Sequence, residues 1–136
     1  MKQYVLDANA VMRYLSNEPG EGKVAVLIQR AAKGESRLLI SVINWGEVLY
    51  SLARRAGLSK ATADLKALGS IVESVAVDES QAEMAATLKF RYKMGYADTY
   101  AAALALRTGA TLVTADPEFA KLGKQLKVLA LPRHAQ

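Results

Sequence analysis

Five short runs of this chain are apolar almost without interruption. They are Gln3–Leu6 (QYVL), Leu38–Val42 (LLISV), Ser74–Val77 (SVAV), Thr111–Thr114 (TLVT) and Lys127–Leu131 (KVLAL). A strand with one wet face alternates apolar and polar residues. An unbroken apolar strand is instead covered on both faces, the signature of a parallel sheet with helical crossovers. Longer helical stretches separate the runs. One follows Asp7 and breaks at Asn17–Gly20, around Pro19; a second spans 21–33 and stops at Gly34. A third covers 43–56, and a fourth, capped by Ser59, fades near Gly69. Asp78 with Gln81 resembles a capping box for a fifth that reaches Lys93. A sixth starts near Asp98 and ends before Gly109, and a short seventh begins at Pro117, where a missing N–H costs nothing. This alternation predicts a three-layer α/β fold with right-handed crossovers. The strand order is not readable from it.

The 136 residues suit one domain over 1–136. Such a chain buries roughly two-thirds of its unfolded surface and needs no covalent staples. Cysteine is absent, which excludes a disulfide framework and a thiolate nucleophile or metal site. The opening MKQYVLDANAVMRYL is not a signal peptide, because an acid interrupts its apolar run and no small-residue cleavage site follows. No apolar stretch is long enough to span a bilayer. A cytoplasmic protein without a membrane partner is expected. The net charge of +5 is compatible with a polyanionic partner but does not demand one.

If the strands are parallel, four acids come from the same edge of the sheet. Asp7 follows the first strand and Asp116 the fourth; Asp98 opens the helix that leads into the fourth strand; Glu47 lies near the start of the helix after the second. Ligands of such sheets gather beyond the carboxyl ends of the strands. Each acid also has a plainer explanation. Asp116 before Pro117 is a good N-cap, Asp98 can cap its helix, and Asp7 can do the same with Asn9 as a competitor. Glu47 falls opposite the apolar stripe of Trp45, Val48, Leu49 and Leu52, where a solvated acid is common. Converging carboxylates repel one another by a few kcal/mol per close pair, about 4 kcal/mol at 4 Å and an effective dielectric near 20. Protons relieve that repulsion, and a divalent cation relieves it better. Oxygen ligands without Cys or His favour Mg²⁺ or Mn²⁺ over zinc. An ion so held points to phosphate chemistry with water as nucleophile. The one histidine, His134, lies in the terminal PRHAQ, and neither GxxxxGK[ST] nor GxGxxG occurs.

Three segments carry a resemblance to PIN-domain nucleases. VLDANAVMRYL resembles their opening strand and first acid, and ISVINWGEVLYSL is similar to their second-acid helix. GYADTYAAALALRTGATLVTADPEF resembles their third acid, Ala-rich helix and closing Thr-x-Asp-x-x-Phe segment. The likeness spans nearly the whole chain in order, and its size resembles the VapC-type toxins of toxin–antitoxin pairs. The resemblance implies a five-stranded parallel sheet of order 3-2-1-4-5 and a Mg²⁺- or Mn²⁺-dependent ribonuclease. It implies Asp7, Glu47, Asp98 and Asp116 as the catalytic, metal-binding acids and Thr114 as a supporting hydroxyl. Asn9 stands where the family commonly has Ser or Thr. A homodimer neutralised by an antitoxin protein is implied as well.

The Ala-rich helix places Asp98, Ala101, Ala102 and Ala105 on one face, so small side chains let it press close to the sheet. LKFRYKMGYADTY sets Phe90, Arg91, Tyr92, Lys93 and Tyr96 just before Asp98. Cations with aromatic rings suit single-stranded RNA, with Arg91 and Lys93 as candidate phosphate contacts. Core or a dimer interface is the plainer place for the aromatics. Val11, Met12, Tyr14, Leu15, Val24, Leu27 and Ile28 on the first helices offer either core or a groove for an amphipathic antitoxin helix. Two alternatives remain at this point. One is a haloacid-dehalogenase-like phosphatase, which requires a second Asp where this chain has Asn9; the other is a non-cleaving PIN-like module that binds RNA or protein.

Overall fold

The apolar runs pair with one another, in parallel throughout. The computed structural model describes residues 1–134. In chain order the elements are β1 (Lys2–Leu6), α1 (Ala8–Leu15), α2 (Glu21–Ala32), β2 (Ser36–Ser41), α3 (Val42–Ala56) and α4 (Leu58–Leu68). They continue with β3 (Val72–Val75), α5 (Glu79–Tyr92), α6 (Tyr96–Thr108), β4 (Thr111–Thr114), a 3-10 stretch (Pro117–Gln125) and β5 (Val128–Ala130). The sheet order is β3-β2-β1-β4-β5, as the family resemblance implies.

Successive strand residues point to opposite faces. Leu6, Leu38, Ile40, Val72 and Val113 join the core formed with α1 to α4. Their neighbours Val5, Leu39 and Leu112 join a second core with α5, α6 and the 3-10 stretch. That is the physical meaning of the unbroken apolar runs: both pleats meet helices. The edges depart from it. In β3 only Val72 is buried, and the strand sits two residues earlier than the apolar SVAV run. Its Glu73 is exposed and pairs with Arg37 of β2 at 2.6 Å. Charge on an edge strand discourages pairing with another chain.

The α6 helix is buried from Thr99 through Ala105, on every face. It packs against α5, α3, β1 and β2. Six of those seven residues are Ala, Leu or Thr of modest size, so neighbours approach from all sides. It begins at Tyr96 with Gly95 as N-cap, not at Asp98. Asp98 is therefore in the first turn and does not cap the helix. Gly109, at φ 71°, supplies the left-handed residue that ends α6 and turns the chain into β4. Because β1 lies between β2 and β4, the chain leaves β1 toward one side and later returns on the other. The carboxyl ends of β1 and β4 flank this switch point, where open α/β sheets bind ligands.

Candidate metal centre

Asp7 ends β1 and caps α1. Its side chain is buried, and its Oδ1 accepts from the Ala10 N–H at 2.7 Å. The Thr114 hydroxyl, from the last residue of β4, donates to Asp7 Oδ2. The Asp116 N–H in turn donates to Thr114 Oγ1 at 3.0 Å, which orients the hydroxyl toward Asp7. Asp116 caps the 3-10 stretch by accepting from the Glu118 N–H at 2.9 Å. The capping explanation for Asp7 and Asp116 is thus correct, and both also face one cleft. Asn9 does not cap α1; its Oδ1 accepts from Arg13 Nε at 3.0 Å.

Asp98 reaches the same place from α6. Carboxylate oxygens of Asp98, Asp116 and Glu118 all lie within 4.8 Å of one another. The cleft, of about 250 Å³, is lined by Asp7, Asn9, Arg13, Asp98, Ala115, Asp116, Pro117 and Arg133. Glu47 stands outside the tight group. Its Oε1 accepts from Asn44 Nδ2 at 2.8 Å, and the same amide donates to the Ala97 carbonyl at 3.0 Å. Asn44 so ties the second-acid helix to the first turn of α6, beside Asp98. Both of its partners are pure acceptors, which forces the amide to present its nitrogen to them. Among the described residues, the buried Asn44 Oδ1 meets no hydrogen-bond partner.

The charge on the site is expensive without a counter-ion. Burial pushes the Asp7 carboxyl up to about 7, opposed by the Thr114 and Ala10 hydrogen bonds and reinforced by Asp98 and Asp116. Asp98 is raised to about 6, by partial burial first and then by the negative charges of Asp116, Glu47 and Glu118. Two neighbouring carboxyls that resist ionisation, in a cleft of oxygen donors, are a donor set fitted to a hard divalent cation.

Two residues escaped the sequence-based reading. Glu118 reads in sequence as an ordinary acid in a helical first turn; the tight turn after Pro117 brings it back beside Asp116. Asn44 lies three residues before Glu47, a spacing that places both on one helical face, and that was the available signal. Arg91 and Lys93 lie at the end of α5, exposed and outside the acidic cleft. Of the first-helix apolar set, Val11, Met12, Val24 and Leu27 are core. Ile28 is core as well, and with half-buried Tyr14 and Leu15 it lines a groove closed by Asp64, Ala67, Leu68 of α4 and by Ile71.

No curated protein sequence matches the chain. Solved structures do. The VapBC2 complex of Rickettsia felis bound to a promoter DNA fragment contains a chain with TM-score 0.75 and 20% identity, covering 95% of this chain and 98% of that one. DNA-bound VapBC of Salmonella typhimurium gives TM-score 0.74 at 18% identity, covering 96% and 98%. The Mycobacterium tuberculosis VapC20, a sarcin-ricin-loop-cleaving toxin, gives 0.67 at 19% identity, covering 88% and 95%. At these identities the likeness is one of fold. The sequence itself decides the family: the PIN domain model matches residues 4–125, from the first strand through the closing 3-10 stretch. The chain belongs to the PIN domain family.

Proposed function

We propose that this protein is a divalent-metal-dependent endoribonuclease that hydrolyses RNA phosphodiesters, acting as the toxin of a toxin–antitoxin pair. The observation that carries the proposal is the meeting of Asp7, Asp98 and Asp116, from three distant segments, in one cleft, with the carboxylates of Asp98, Asp116 and Glu118 within 4.8 Å of one another. Membership of the PIN domain family and the toxin–antitoxin complexes among similar structures support it. A bound Mg²⁺ or Mn²⁺ lowers the pKa of water and offsets charge on the phosphodiester.

Asp7, Asp98 and Asp116 are the proposed ligands, and Glu118, grouped tightly with Asp98 and Asp116, is a proposed fourth oxygen donor. Glu47, held by Asn44, orients the water or completes the ligand set. Thr114 fixes the rotamer of Asp7, so that the buried carboxylate faces the cleft and does not wander. Arg13 and Arg133 also line the cleft and are positioned to attract a phosphate. Arg13 also donates from Nη1 to the Pro19 and Pro132 carbonyls, at 2.7 and 2.8 Å, which fixes its position. The cleft suits a phosphodiester better than a whole nucleotide, given that pockets enclosing drug-sized ligands run from about 300 Å³ upward. The RNA then crosses the rim, where Arg91 and Lys93 are proposed backbone contacts. In the α1–α2–α4 groove, Tyr14, Leu15 and Ile28 take an amphipathic antitoxin helix. A homodimer in the cytoplasm completes the proposal.

The test is incubation of RNA with wild type and Asp98→Asn in Mg²⁺, Mn²⁺ or EDTA. Metal-dependent cleavage lost in the variant is the expected result. Binding without cleavage assigns a non-catalytic module, and turnover of a phosphomonoester with no action on RNA assigns a phosphatase.

A further inference from the structure

The most exposed large apolar side chain beyond the first residue is Phe90, 86% accessible, near the end of α5. Core packing does not explain it. It lines an open trough of about 650 Å³ with Ala86, Lys89, Lys93 and Tyr96. We infer that this trough is a stacking subsite for an unpaired base of single-stranded RNA, a proposal that rests on the ribonuclease reading above.

The trough has the parts such a subsite needs. Phe90 offers an aromatic face to solvent, and stacking on such a face tolerates any base. Tyr96 is a second ring that is already oriented. It meets Tyr100 edge-on, with ring centres 5.2 Å apart, and the two hydroxyls are 3.0 Å apart. Lys89 lies along the trough with its Nζ donating to the Met94 carbonyl at 3.1 Å. Lys93 occupies a left-handed backbone conformation, φ 55°, where Gly or Asn is the usual residue. Exposed Arg91 adds a third cation close by. Among the described residues, no acid lines the trough.

That charge selects the occupant. A second copy meeting this face about a two-fold axis would gather the lysines of both copies in one patch that its own lining does not neutralise. A polyanion with unpaired bases satisfies rings and cations together. The trough and the acidic cleft are separate, with no lining residue in common, but the segments that bear them touch. Lys121 Nζ lies 3.4 Å from the Tyr92 carbonyl, at the end of α5, and 3.4 Å from Glu118 Oε1. Tyr96 shares the first turn of α6 with Asp98. In this proposal an RNA strand leaving the cleft passes the start of α6 and lays an unpaired base in the trough.

The experiment measures affinity for a twelve-nucleotide single-stranded RNA carrying one 2-aminopurine, with wild type in EDTA. Cleavage by the same proteins in Mg²⁺ is scored in parallel. Phe90→Ala, an exposed substitution that leaves the core untouched, is expected to weaken binding roughly fivefold or more and to abolish quenching of 2-aminopurine. Phe90→Trp keeps both, Phe90→Leu keeps neither, and Lys93→Gln lessens the salt dependence. Unchanged affinity in Phe90→Ala with cleavage intact overturns the subsite alone. Absence of both binding and cleavage in wild type overturns the subsite together with the ribonuclease reading. A dimer that becomes monomeric in Phe90→Ala, at unchanged RNA affinity, assigns the face to a second copy and overturns the subsite.

Discussion

Removing the charge from Asp7 should make the metal-free protein more stable and the enzyme inactive. The carboxyl rises from 3.8 to about 7 in the fold, mainly through burial. A shift of one unit is worth 1.36 kcal/mol. Ionising Asp7 inside the protein therefore costs about 4 kcal/mol relative to the unfolded chain. Between those two values the folded state holds a proton that the unfolded state has lost. Stability in EDTA is thus greatest below about pH 4 as far as this group is concerned, and it falls as the pH rises to about 7. Asp98, raised to about 6, adds a slope of the same sign over a lower range.

In Asp7→Asn the amide keeps the Ala10 contact and turns its NH₂ toward the Thr114 hydroxyl. Each of the two hydrogen bonds drops from the charged range, about 1.5–3 kcal/mol, to the neutral range, about 0.5–1.5 kcal/mol, a loss of roughly 2–3 kcal/mol for the pair. The net gain at pH 8 is then about 1–2 kcal/mol. Urea unfolding read by Trp45 fluorescence at several pH values, in EDTA, gives both numbers. The wild type should lose stability from pH 4.5 to 8, and Asp7→Asn should be flatter. Excess Mg²⁺ should restore the wild type by about 2.7 kcal/mol at a hundred times its dissociation constant, and the variant by much less. A wild-type stability that is level or rising across that pH range in EDTA refutes the electrostatic account.

Three further predictions address the frame around the acids. Ala102, fully buried in α6, has no room for a larger side chain; Ala102→Leu should cost about 1–3 kcal/mol by thermal or urea unfolding and lower cleavage as well. A folded variant with full activity would sink the idea that close packing positions Asp98. A Cβ at Gly95 would lie 3.1 Å from Asp98 Oδ2, so Gly95→Ala should displace the carboxylate. Weaker Mg²⁺ affinity by calorimetry, with near-normal stability, is the expected outcome; unaltered affinity counts against it. Asn44→Ala should weaken metal affinity and cleavage through Glu47, so in a double-mutant cycle it adds little to Glu47→Ala. Fully additive losses would show that Asn44 acts through something else.

Much of the fold was legible along the chain. The apolar runs announced a sheet covered on both faces, and Val5 with Leu6 or Leu38 with Leu39 do divide between two cores. Asp7 and Asp116 showed their capping chemistry in their neighbours alone, since capping is a local hydrogen bond. The boundary at Asp98 did not show, because Gly95 caps α6 through its backbone shape, without a side-chain bond that a sequence would display. At the edges, Glu73 belongs to β3 though the apolar pattern begins later, because a strand with one open edge and little burial is specified by its partner.

By itself the sequence determined the element types, the parallel character of the sheet and the identity of the acids, because periodicity, caps and turns act between near neighbours. The tertiary structure alone decided which oxygens share one cleft. It turned Glu118 in beside Asp98 and Asp116, set Glu47 apart under Asn44, and left Phe90 in solvent. Distances between segments a hundred residues apart depend on how helices seat against a twisted sheet, and no local pattern along a chain carries that information.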